Sequence, residues 1–178
     1  MNRENLLAKI QHYALSYPEE QAITTRMLSF IETHPNCFSR ALEIGHCTGS
    51  AWLLSPDSKQ VLLTHHRKLE LWLQLGGHAD DNPNLFDVAL QEAQEESGIK
   101  AIMPLSMDIF DMDIHLVPEY QGTPAHEHFD IRFIFQAENL NFKISAESLD
   151  LKWFAEADFL NIEMEASMAR MVKKWLLC

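Results

Sequence analysis

Apolar residues recur every three or four positions at the start of the chain, at Leu6, Leu7, Ile10, Tyr13 and Ala14. That period is one face of an α-helix and predicts a helix over residues 3–15, closed at Ser16-Tyr17-Pro18 because proline cannot continue it. A similar stripe of Ala22, Ile23, Met27, Leu28 and Ile31 predicts a second helix over 20–32, stopped by His34-Pro35-Asn36. From Gly45 the pattern changes. Ser50 to Leu54 and Gln60 to Thr64 are short β-type runs around the turn signal Ser55-Pro56-Asp57-Ser58, and they predict a hairpin. Trp72 to Leu75 predicts another strand, running into Gly76-Gly77, where the absence of side chains permits close backbone approach. One strong helix is predicted over Leu85 to Ser97, strands near 101–105, 109–116, 130–137 and 151–154, and a closing helix near 166–177. Strands alternating with a few helices define an α/β (α+β) fold with helices on a mostly non-parallel sheet. The expected organisation is a helical hairpin extension, 1–40, ahead of a single unit, 41–178. The apolar stripe of that hairpin must bury against something. Capping an active site, a homodimer interface and cover for one sheet face all remain open from the sequence.

Composition narrows the classes. At 178 residues with 47% apolar content, the chain can build one sizeable core and is neither disordered nor two large domains. A net charge of −12 repels polyanions, which argues against a nucleic-acid polymer or an anionic membrane as partner. Small phosphorylated ligands stay open, because a bound divalent cation inverts the local sign. Cys37, Cys47 and Cys178 form no CxxC pair, no apolar run approaches the roughly 18 residues of a membrane span, and the N-terminus has no signal-peptide pattern. A cytoplasmic protein is the expectation.

The helix over 85–97 carries the densest chemistry. Asn84 is placed as its N-cap with Asp87 as a capping-box partner, and Gly98 as the closing residue. Phe86, Leu90 and Ala93 make a core stripe, while Glu92, Glu95 and Glu96 share another face. Carboxylates at these spacings repel one another and sit where the helix dipole disfavours anions. Either they are a solvated acidic face, or they hold a hard cation such as Mg²⁺ or Mn²⁺.

The run from Gly76-Gly77-His78 to Glu95-Glu96-Ser97-Gly98-Ile99 resembles the signature of the Nudix hydrolases, G-x5-E-x7-R-E-U-x-E-E-x-G-U, where U is a bulky apolar residue. With its first glycine on Gly77, the positions of Glu92, Glu95, Glu96, Gly98 and Ile99 fall in register. Upstream, Ser50-Ala51-Trp52 through Leu62-Leu63-Thr64-His65-His66-Arg67 looks like the strands before the Nudix loop. Downstream, Glu147 to Phe154 is similar to the late strand of that fold. The resemblance spans residues 45–160 and implies an α/β/α sandwich with a mixed sheet. Three positions depart from it: the loop glutamate falls on Pro83, the arginine on Gln91, and the apolar position after the first helix glutamate on Ala93. Glutamate and arginine can pair in the family, so losing both leaves no orphan charge; Asp80 or Asp81 can supply a loop carboxylate instead.

The resemblance implies hydrolysis of the pyrophosphate linkage of a small nucleoside diphosphate derivative, with an ADP-ribose-like compound as first guess. It implies Mg²⁺ or Mn²⁺ on Glu92, Glu95, Glu96 and the Gly76 carbonyl, with Glu92 or Glu95 as general base. An inactive or weak nucleotide-binding regulatory module is the alternative that Pro83 and Gln91 suggest. Outside the helix, His126, His128, Asp130 and Arg132 alternate onto one face of a predicted strand. There the histidines and Arg132 are expected to meet substrate, as is His78, unless this is simply a polar strand. Zinc on His126 and His128 lacks a third and fourth ligand by spacing. Trp52 and Trp72 are read as core.

Overall fold

The computed structural model describes residues 2–67, 69–120, 122–145, 148–162 and 164–177. Glu147 and Cys178 lie outside these described residues. Two helices come first, α1 (Arg3–Ser16) and α2 (Gln21–Thr33), joined by a 3-10 turn at Pro18–Glu20. Asn2 caps α1 by accepting the Asn5 N–H at 2.9 Å. Eight strands and two further helices follow among the described residues: β1 (Gly45–Leu54), β2 (Gln60–His66), β3 (Trp72–Leu73), β4 (Leu75–His78), α3 (Leu85–Ser97), β5 (Ile102–Pro104), β6 (Asp111–Val117), β7 (His126–Ala137), β8 (Ser148–Ala155) and α4 (Ala166–Trp175).

The predicted elements are present, with three differences. The strand expected over 72–75 is split into β3 and β4. The latter carries the glycine pair in antiparallel pairing with β1, Ser50 opposite Gly76 and Gly49 opposite Gly77. β1 and β7 begin earlier than expected, and over the whole length of β1 they pair in parallel, from Gly45 beside Glu127 to Leu54 beside Gln136. The other pairings are antiparallel, so the sheet is mixed. Finally, Asn84 makes no capping bond to the backbone; its side-chain amide donates instead to the Asp87 carboxylate.

Side-chain alternation along β1 separates two layers. Cys47, Ala51 and Leu53 face one core, shared with Leu6, Ile10, Met27 and Ile31 of the first two helices and Leu85, Ala89 and Ala93 of α3. Phe30 stacks on Phe129 with ring centres 3.6 Å apart, so α2 covers that sheet face directly. Trp52 and Leu54 point the other way, into a second core with Ile134 and with Met168, Met171 and Trp175 of α4. The result is an α/β/α sandwich. Gly49 is required by the first layer: a Cβ there would lie 2.6 Å from the Leu85 carbonyl, so the missing side chain lets the start of α3 sit on the sheet.

Candidate active site

The α3 glutamates meet the β4 glycines. The helix ends at Gly98 in the left-handed region (φ 69°), and its core stripe fixes which residues turn toward β4. Glu96, only 9% exposed, accepts the Gly76 N–H at 2.8 Å. A Cβ on Gly77 would lie 2.2 Å from Glu92 Oε1, so the Glu92 carboxylate fills the space a side chain would need. Glu95 is exposed one position along and takes the Gln91 amide at 2.8 Å. Two carboxylates, of Glu92 and Glu96, are thus brought against the glycine backbone, while Glu95 stands on the exposed side of the helix; hard oxygen donors of this kind suit Mg²⁺ or Mn²⁺.

The connecting loop is braced from outside the signature. Asp80 and Asp81 both have left-handed backbones (φ 46° and 68°), a conformation costly for residues other than glycine. Two contacts to the segment before β1 hold it: the Arg40 guanidinium binds both Asp80 oxygens, and the Asp81 N–H donates to the Phe38 carbonyl at 2.9 Å. The Arg40 charge holds the Asp80 carboxyl below its ordinary range. Asp80 is therefore a loop carboxylate, committed to Arg40, while Pro83 and Gln91 leave no unpaired charge behind.

On the opposite sheet face the polar residues form rows across the strands. His46 of β1 lies beside His128 of β7, which lies beside His115 of β6; in the next row His78 of β4 lies opposite Thr48. Ring centres are 4.9 Å apart for His46–His128, 5.1 Å for His46–His78 and 5.0 Å for His78–His128. Burial, together with the neighbouring Arg40 and His46, pushes the His78 ring down to about 4. Burial and the surrounding imidazoles take His128 to about 2. Both are neutral at neutral pH. His126 stands at the rim, its Nδ1 at 2.8 Å from the Pro124 carbonyl. Since a carbonyl only accepts, Nδ1 carries a proton toward it, and Nε2 is the ring's other nitrogen.

Arg132, expected at the substrate, is 2% exposed. It donates to Asp130 at 2.7 Å and Asp111 at 3.0 Å. The predicted alternation is correct, but the face it shares with the histidines runs on beneath α4. There Arg170 and Lys174 reach the same Asp111 at 2.8 and 2.7 Å. Buried Asp130 collects Thr48, Ser50, Gln74 and Arg132. Burial raises its pKa, but Arg132 and His115 outweigh this and hold the carboxyl below its ordinary value. His46 was missed by the sequence reading, and the polar alternation His46-Thr48-Ser50 just before the expected strand was its signal. Trp52 is fully buried and Trp72 packs on its cluster, as expected.

The class of protein defined by this fold and site is that of a sandwich with a glutamate-bearing helix clamped on a diglycine strand. The NUDIX domain model matches residues 48–175. The chain belongs to the Nudix family, as a pyrophosphohydrolase of that family. Among solved structures, a Nudix-family hydrolase from Clostridium perfringens aligns at TM-score 0.56 and 20% identity, covering 74% of this chain and 97% of that one. A C. elegans Ap4A hydrolase binary complex aligns at 0.59 and 18%, covering 74% and 95%. The Nudix domain of Shewanella oneidensis NrtR, complexed with ADP ribose, aligns at 0.50 and 18%, covering 76% and 88%. No curated protein matches the sequence. Among the described residues no helix is long and apolar enough to cross a membrane.

Proposed function

We propose that the protein hydrolyses the pyrophosphate linkage of a small nucleoside diphosphate derivative, with Mg²⁺ or Mn²⁺ held by Glu92, Glu95, Glu96 and the Gly76 carbonyl. The observation that carries this reading is the seating of the Glu92 and Glu96 carboxylates against Gly76-Gly77. An acidic patch repels a diphosphate unless cations intervene, and these donors are of the hard type such cations prefer. Bound there, a divalent ion supplies charge neutralisation for the phosphates and an acidified water. Glu96 ties the helix to β4. Glu95, exposed and steadied by Gln91, is open to solvent and suited to take a proton from the attacking water; Glu92 is the other candidate for that role. His126 presents Nε2 at the rim as a substrate contact. An ADP-ribose-like compound is the first substrate to test, supported by the likeness in fold to a Nudix domain solved with ADP ribose.

The test is turnover of a panel of nucleoside diphosphate derivatives with Mg²⁺ or Mn²⁺, read as phosphate after a coupled phosphatase. Activity that disappears with chelator and in Glu95→Gln and Glu96→Gln is expected. A folded protein inactive across the panel overturns the reading in favour of a nucleotide-binding regulatory module.

A further inference from the structure

We propose that His46, His78 and His128 form a second metal site, for a zinc-type transition-metal ion, on the sheet face turned away from α3. One ring nitrogen from each lies within 4.8 Å of the other two. Zn–N bonds of about 2.0–2.1 Å at tetrahedral angles place such nitrogens about 3.3 Å apart, so small side-chain rotations close the site. The three residues come from three hydrogen-bonded strands, β1, β4 and β7, whose register fixes their spacing. The ligand set is therefore held in place before any ion arrives.

A second observation points to a ligand. His46 is 4% exposed, yet neither Nδ1 nor Nε2 has a hydrogen-bond partner among the described residues, and His128 Nε2 is likewise buried and unpartnered. Buried polar atoms are nearly always satisfied, and leaving several unmade at one spot costs free energy that a packed apolar residue would not. One ion takes one nitrogen from each ring, and so satisfies the His128 Nε2 together with one of the two His46 nitrogens. The donors decide its kind: neutral imidazoles suit Zn²⁺, Co²⁺, Ni²⁺ or Cu²⁺, whereas Mg²⁺ and Mn²⁺ favour oxygen. Three protein ligands leave a fourth position for water, and His126 stands next to the cluster with its ring centre 4.9 Å from that of His46. The two sites are chemically separate, so this inference does not depend on the glutamates being catalytic.

The test uses the full chain, stripped with chelator, dialysed and titrated with Co²⁺ alone. One equivalent is expected to bind with visible absorption bands of a low-coordinate, nitrogen-ligated ion. In His46→Ala, His78→Asn and His128→Gln the affinity should fall at least about a hundredfold, since even residues behind a ligand are worth 10–100-fold. Glu92→Gln and Glu95→Gln should keep the bands. Circular dichroism checks each fold. A measurement that needs no variant is the ¹⁵N shift of the ring nitrogens on adding Zn²⁺ to wild type, expected to move for these three histidines. Folded wild type without bands or shifts overturns the proposal, as do bands that survive the histidine substitutions or vanish with the glutamates.

Discussion

Arg132 and Asp111 face each other across the β6–β7 pairing, Nη1 3.0 Å from Oδ2, with Asp111 fully buried and Arg132 2% exposed. Asp111 also takes Arg170 and Lys174. One carboxylate therefore touches three cations at the junction of sheet, α4 and the first helices, in a network that Glu20, Asp113 and Asp130 complete. Removing one member of such a buried set costs more than the set contributes, because the remainder is stranded. Asp111→Asn is expected to lose about 3 kcal/mol, and roughly 6–12 °C in Tm. Urea and thermal unfolding check this, with Glu95→Gln, whose side chain is exposed, expected to stay within about 0.5 kcal/mol of wild type.

Gly77→Ala is expected to separate fold from site. The new Cβ would meet the end of the Glu92 side chain rather than backbone, so the carboxylate must move while the sheet need not. Mn²⁺ affinity and turnover are expected to fall more than tenfold, with Tm within about 3 °C of wild type. Titration and melting on the same preparation decide it.

Arg40→Ala tests the loop brace. The Arg40–Asp80 pair is more than half exposed, so the loss of stability is expected to stay below about 1 kcal/mol. Two consecutive left-handed residues depend on that clamp, however, and faster hydrogen exchange at Asp81 and Asn82 with a several-fold rise in KM is the expected outcome. Unchanged exchange would mean that the backbone bond from Asp81 to Phe38 suffices alone.

The His115–Asp113 pair, Nδ1 to Oδ2 3.4 Å, gives a pH window. Burial lowers the His115 pKa, but the Asp113 contact outweighs it and the net shift is upward. Asp113 is shifted down by His115 and Arg132 against its own burial. A raised histidine contributes stability below about 6.5 that is lost as pH rises through its folded pKa. A lowered carboxyl contributes above about 3.9 and is lost as pH falls through its folded pKa. The Tm difference between wild type and His115→Gln is therefore expected to peak between about pH 4 and 6.5, and to vanish by pH 9. With His115 partly exposed the amplitude is small, about 1 kcal/mol or less.

Helix α3 was legible at both ends because its period, its core stripe and Gly98 agree, and the glutamates come into register from spacing alone. The first half of β1 was not. Two glycines and the polar His46 and Thr48 interrupt any apolar alternation there, whereas the structure uses the glycines for close approach and the polar side chains as a buried row. His46 and His128 are neighbours only through the parallel β1–β7 pairing, 82 residues apart in the chain, which no local pattern encodes. Arg132 failed for the same reason: its own face was predictable, but the carboxylate opposite it on β6 was not. The loop brace was half visible, in Asp80, while its partner Arg40 lay in a segment with no periodic signal.

Four residues of β4, Leu75 to His78, have a consequence for how this fold can vary. Gly77 turns toward the glutamates and His78 toward the histidines. A one-residue slip along β1 would exchange those orientations, thrusting an imidazole under α3 and withdrawing the notch that receives Glu92. The two clusters therefore share a single point of failure: insertions or deletions in this strand dismantle both together.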